Sequence, residues 1–217
     1  MKARWGSAAW VVGAVQFFAL HGVVESAWEK PYSWAGNNIS DLGNALCATQ
    51  PEPEPRYICS PEHALMNGSF VALGILLAVG AVLTGALWRR GGTATTARLL
   101  LAGAGGGFVL AGLAPADLHE NQHMLGALLV MGIGNTGLLL AGAGLAGDGR
   151  GVLRWVTGLL GLIGLTAFGF FLSHHYPGLG MGGMERVAAF PLLIGTLAVG
   201  AHGLLRREAD GPVARTR

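Results

Sequence analysis

The 217-residue chain is poor in charge, with Asp, Glu, Lys and Arg making up 12% of it. Water-soluble domains carry about 25%, so an ordinary soluble globule is disfavoured at once. No basic tract is long enough to follow a nucleic-acid backbone, and a net charge of +2 points to no polyanionic partner. Cysteine is also scarce. The two present, Cys47 and Cys59, form neither the C-x-x-C of a redox pair nor the C-x-x-C-H that attaches haem.

What the chain has instead is hydrophobic residues, 52% of the total, with a mean hydropathy of +0.49. They are gathered into runs at 5–24, 64–88, 99–116, 121–147, 155–184 and 187–205, each 18 residues or longer. About 20 apolar residues in a helix cross a hydrocarbon core of roughly 30 Å. The expectation is an all-α polytopic membrane protein, a single bundle of six transmembrane helices near 7–27, 66–88, 98–115, 122–146, 152–173 and 185–205. A large loop, 28–65, joins the first two, and a tail, 206–217, follows the last. The N-terminal run is read as a retained span, because Val24-Glu25-Ser26-Ala27 puts a carboxylate where a signal-cleavage site needs small residues.

Six spans make the connections alternate sides, which the basic residues can test. Lys2, Arg4, Arg89, Arg90, Arg98, Arg150, Arg154, Arg206, Arg207, Arg215 and Arg217 fall on one side; Lys30, Arg56 and Arg186 fall on the other. By the positive-inside rule both termini are expected in the cytoplasm, and the loop 28–65 outside a multi-pass plasma-membrane protein. Nine of the twelve acids lie at or near that outer side. The 37 glycines concentrate in the spans, where small residues let helix backbones approach closely in lipid. In the loop, Cys47 and Cys59 are close enough in sequence to close a disulfide under extracytoplasmic conditions. Between them Pro51-Glu52-Pro53-Glu54-Pro55 reads as a stiff extended segment.

Polar chemistry gathers at the outer ends of the spans. Six of the seven histidines, His21, His63, His119, His123, His174 and His175, map there, and ionisable groups at membrane depth usually face a bundle interior or wet cavity. His119-Glu120-Asn121-Gln122-His123 spells H-E-x-x-H, in which two imidazoles four apart on a helix bind zinc and the Glu acts as base. Pro115 and Asp117, however, stand where a helix begins, with Asp117 as N-cap and Glu120 as its capping-box partner. His63, His174 and Asp117 are further ligand candidates at the same level. Ser60-Pro61-Glu62-His63 reads as a second helix start with Ser60 as cap; the alternative is a Ser60–His63 nucleophile–base pair. His21 and Glu25 are spaced to pair, Glu185 and Arg186 to neutralise neighbours, and Asn67 and Asn135 to hydrogen-bond between helices.

The stretches 37–43, 66–70 with Ser60 and Gly74, 112–117 followed by 123–127, and 182–186 together resemble a bacterial integral membrane family catalogued as domain of unknown function 998. The resemblance covers roughly residues 10 to 205. It implies a six-helix membrane protein without an established general activity, and singles out Ser40, Asp41, Asn67, Asp117, His123 and Arg186. His119 and Glu120 lie outside its pattern, and the cysteine pair looks like a local elaboration.

Two functional readings follow. The first is an outward-facing pocket of Ser40, Asp41, His63, Asn67, Asp117, His123, His174 and Arg186 that binds a lipid or other amphiphile. The second is a zinc-dependent membrane hydrolase or lipid-modifying enzyme, with His119, His123 and His63 as ligands and Asp117 or Glu120 as base. A transporter is disfavoured, since the inner halves of the spans offer no polar path. The expected partners are the lipid bilayer and an amphiphilic small molecule, not nucleic acid.

Overall fold

The computed structural model describes residues 1–51, 55–146 and 151–209, with side chains through 205. The centre of the proline-rich segment (52–54), most of the connection after the fourth span, including Arg150, and the tail from 210 lie outside the described residues.

With no water in the hydrocarbon to satisfy backbone groups, each apolar run closes its hydrogen bonds internally as a helix. The helices are α1 (Lys2–Ser26), α2 (His63–Leu83), α3 (Gly92–Leu113), α4 (Glu120–Leu128), α5 (Asn135–Gly144), α6 (Gly151–Leu172) and α7 (Gly180–Ala209). A π-helical turn, Leu129–Gly134, joins α4 to α5 in one continuous span. Six helical segments are thus long and apolar enough to cross a membrane. The chain is an integral membrane protein.

Some boundaries differ from those expected. The second span starts at His63 and ends at Leu83, not 88, because the chain tightens into a 3-10 turn, Gly85–Leu87, and Trp88 then bridges to Leu145. The third starts at Gly92, since Thr93 to Ala97 continue the helix ahead of the apolar stretch. The sixth starts at Gly180, because the segment 180–186 is helical beneath the outer loop.

The spans pack as a closed ring: α1 on α2, α2 on α3, α3 on α4 and α5, α5 on α6, α6 on α7, and α7 back on α1. Glycine permits the closest contacts. A Cβ on Gly105 would lie 2.6 Å from the carbonyl oxygen of Gly74 on the facing helix, so any side chain there would push α2 and α3 apart. Trp10, Phe17, Met66, Leu101, Leu138 and Leu192 fill the interior. Trp155, Val152 and Leu99 point outward, as residues facing lipid do.

The loop after α1 covers one end of the ring. It contains a 3-10 turn, Ser40–Gly43, and a hairpin of β1 (Ala48–Gln50) and β2 (Arg56–Ile58) in the register Ala48↔Ile58, Thr49↔Tyr57, Gln50↔Arg56. The next position along that ladder pairs Cys47 with Cys59, and the two form the expected disulfide.

Candidate functional site

The start of α7 organises the loop that follows α1. At Gly182 a Cβ would run into the carbonyl group of Asn37, so glycine lets the loop lie directly on the helix. One turn on, Arg186 is 4% exposed, and its Nη1 donates to two loop carbonyls, Trp34 O (3.0 Å) and Asn37 O (2.8 Å), and to Gly182 O (2.8 Å) one turn back on its own helix. Its Nη2 donates to the Tyr32 hydroxyl, and the group lies 4.8 Å from the Trp34 ring centre and 5.3 Å from that of Tyr32. Tyr32 passes the bond on, donating to Asn38 O at 2.7 Å. Burial, the largest influence, pushes the Tyr32 hydroxyl above the ordinary phenol range, and the hydroxyl stays neutral. Glu185 accepts from the Ile39 amide. Glu185 and Arg186 therefore grip loop backbone rather than charges on other helices.

Asp41 is 2% exposed and fully engaged. It accepts from Asn38 N (3.0 Å), from Asn37 Nδ2 (3.3 Å), and from Arg56 Nε (2.8 Å) and Nη2 (2.9 Å). The two-pronged Arg56 contact ties the hairpin to the 3-10 turn.

Between this folded loop and the start of α4 lies a vestibule of about 470 Å³. Its polar wall is Asn38, Ser40, Asp41, Asn44, Gln50 and Arg56 from the loop, Asp117 and Glu120 before and at the start of α4, His123, and Glu185. Its apolar wall includes Met124, Ala127 and Met131 from the fourth span and Phe171 from α6. α6 packs along α5 and α7, while α4 packs on α3, so this wall joins residues of the fourth and fifth spans. A smaller apolar cavity of about 40 Å³, lined by Phe17, Phe70, Phe108, Val130 and Leu193 among others, lies against the vestibule. Ser40, His123, Ala127, Met131 and Glu185 line both. Two of the shared residues sit on or beside the π-helical turn, a local widening often found at functional sites.

His123 Nδ1 faces Ala114 O at 2.9 Å and Ala111 O at 3.3 Å. A carbonyl accepts only, so Nδ1 carries a proton. Asp117 Oδ2 accepts from Leu46 N at 2.7 Å, while its buried Oδ1 has no hydrogen-bond partner among the described residues.

This corrects the sequence reading of the helix start. Asp117 is not the N-cap; His119 occupies that position, no side-chain cap closes the turn, and the exposed Glu120 borders the vestibule instead of completing a capping box. Nor is Ser60 the cap of α2: Glu62 is, and the Ser60 hydroxyl donates to Leu42 O at 2.7 Å. It is thereby turned away from His63, whose Nδ1 faces Ser60 O at 3.0 Å.

The remaining candidates separate from the vestibule. Asn67 donates to Gly43 O at 2.8 Å, fixing α2 to the 3-10 turn, and Arg186 lies behind the loop. His174 is exposed, with a left-handed φ of 54°, and lies 3.1 Å from the Tyr176 hydroxyl. Of the histidines proposed as ligands, His123 alone lines the vestibule. Among the described residues no group of three His, Cys, Asp or Glu side chains is placed to hold a metal. Asn135 does bridge helices, donating to Ala188 O at 2.7 Å, and His21 does pair with Glu25, at 3.6 Å. Sequence reasoning missed Asn38, Asn44, Arg56 and Phe171. The signal for Arg56 was present: it is one of three basic residues on the acid-rich side.

A family model described as "Protein of unknown function (DUF998)" matches residues 11–202. No curated protein and no solved structure matches the chain.

Proposed function

We propose, from the premise that the chain belongs to the DUF998 family, that this integral membrane protein binds one lipid or other amphiphilic molecule in the vestibule. The reading places the vestibule at the outer face of the plasma membrane and both termini in the cytoplasm, as the distribution of Lys and Arg supports. The observation that carries it is a lining of mixed character: the fourth span contributes Glu120, His123, Met124, Ala127 and Met131, and together with Asp117 and Phe171 they border a volume of about 470 Å³. Ligand sites are concave and mostly apolar, with a few polar groups that fix orientation. The adjoining apolar cavity, at about 40 Å³, is too small for an acyl chain. The chain of the ligand would therefore lie along the apolar wall toward the bilayer, and the cavity would admit at most a small apolar group.

The test is native mass spectrometry of the full-length protein released from mild detergent. Wild type should retain about one amphiphile per chain, and Ala127→Trp, which fills the shared wall, should lose it while remaining monodisperse. Absence of any bound amphiphile, or equal retention by the variant, would overturn the reading.

A further inference from the structure

We propose that a groove between α5 and α6, at the end of the bundle away from the loop, holds an anionic phospholipid whose phosphate is bound by Arg154. The groove has a volume of about 600 Å³ and shares no lining residue with the vestibule. Small residues open it. Gly142 lies against the backbone of Arg154 and Gly158, where a Cβ would come 2.9 Å from Arg154 O, so α5 and α6 meet there without side chains to fill the space beside them. Along α6 the lining runs from Gly151 to Leu162, roughly 16 Å of helix. The groove therefore begins at the end of the span and continues into its apolar part.

The chemistry changes along that length. Arg154 Nε donates to Gly142 O at 2.9 Å, which holds the guanidinium against α5. Among the described residues its Nη1 and Nη2 have no hydrogen-bond or ion-pair partner, and neither is a buried atom, so both remain accessible. A guanidinium held at one nitrogen, with donors left on the other two, suits phosphate oxygens. Trp155 borders the groove beside it and is 82% exposed, and tryptophan at the end of a span marks the headgroup level. Leu139, Leu159 and Leu162, deeper in the span, offer an acyl chain its apolar surface. Charge complementarity selects the headgroup: among the described residues Arg154 is the one charged group in the lining, so a phosphate is answered, while the ammonium of a zwitterionic lipid meets no carboxylate. Basic pockets between membrane helices recognise acidic headgroups in this way. α6 also has the smallest buried share of the six spans, which leaves this face to lipid.

The probes are dioleoyl phosphatidylglycerol and dioleoyl phosphatidylcholine, titrated separately into the full-length protein in mild detergent. Native mass spectrometry counts the lipid added above any kept through purification. Wild type is compared with Arg154→Gln, Ala143→Trp and the vestibule variant Ala127→Trp. Ala143 lines the groove and is exposed, so a tryptophan there fills the groove without entering the core. Wild type and Ala127→Trp should both bind phosphatidylglycerol about tenfold more tightly than phosphatidylcholine, the size of a charge-assisted hydrogen bond. Arg154→Gln should bring the two lipids to equal affinity, and Ala143→Trp should lose the added lipid. Equal affinity in wild type, or a phosphatidylglycerol preference that survives in either groove variant, would overturn the proposal. A preference lost in Ala127→Trp would move the lipid to the vestibule and overturn it too. A wild-type dimer that takes up no added lipid and is dissociated by Ala143→Trp would give the groove to a second copy of the chain instead. The vestibule reading is judged separately, on the lipid kept through purification.

Discussion

At the residue scale, the polar groups divide into those that hold the loop and those that face the vestibule, and the division predicts different variant behaviour. Asp41 is buried and its charge is answered by Arg56. Arg56→Met should therefore destabilise the protein by about 3 kcal/mol, because a carboxylate is left buried without its partner. Combining it with Asp41→Asn should recover a large part of that loss. Thermal unfolding in detergent measures both, and simple additivity of the two changes would contradict the pairing. Tyr32→Phe removes the group between Arg186 and Asn38 O, with an expected cost of about 1–3 kcal/mol. Burial raises the Tyr32 pKa above its unfolded value, so its contribution is complete below the ordinary phenol range and is lost only as pH rises above it. The deficit of Tyr32→Phe should consequently be the same at about pH 6 and about pH 8. A deficit that changes across that interval would show that another group titrates there.

At the scale of elements, the outer loop has little core of its own. Its hairpin has three residues in each strand, and a pair of strands that short is marginal in water. The Cys47–Cys59 disulfide closes the hairpin's open end, and Arg56 ties β2 to the 3-10 turn. In the chain-entropy account, a crosslink over 12 residues restricts the unfolded loop by roughly 3 kcal/mol. The Cys47→Ser/Cys59→Ser double variant should leave the six spans assembled while making the loop sensitive to added protease. Loss of the whole fold instead would mean that the loop supports the ring. The π-helical turn is the other element with a specific consequence. It places Val130 and Met131 against the apolar cavity and precedes the buried Asn135, whose Nδ2 donates to Met131 O and to Ala188 O. Asn135→Leu should loosen the fourth span from α7 and lower the unfolding temperature, with little effect on the loop's protease resistance.

At the scale of the whole molecule, the proposed orientation has a direct check. In the cysteine-free background, a membrane-impermeant maleimide added to intact cells should label Ser33→Cys in the loop and leave Thr93→Cys, in the first turn of α3, unlabelled until the cells are opened. The reverse pattern would invert the topology. The six spans and the disulfide were legible in the sequence, because length and hydropathy alone decide which segments can replace water with lipid, and two cysteines close together on one loop have few other partners. Local signals misled at Asp117 and Ser60. Both residues are good helix caps by type, but Asp117 takes the Leu46 amide and Ser60 the Leu42 carbonyl, across contacts that composition cannot reveal. His63, His119 and His174, grouped with His123 by their places in the sequence, do not line its cavity. The sequence by itself therefore determined the environment, the spans and the family, because these depend on properties summed along the chain. Only the tertiary structure decided which polar groups hold the loop and which line the vestibule, because Asn44, Asp117 and His123 come to one cavity only when the loop is laid across the ring.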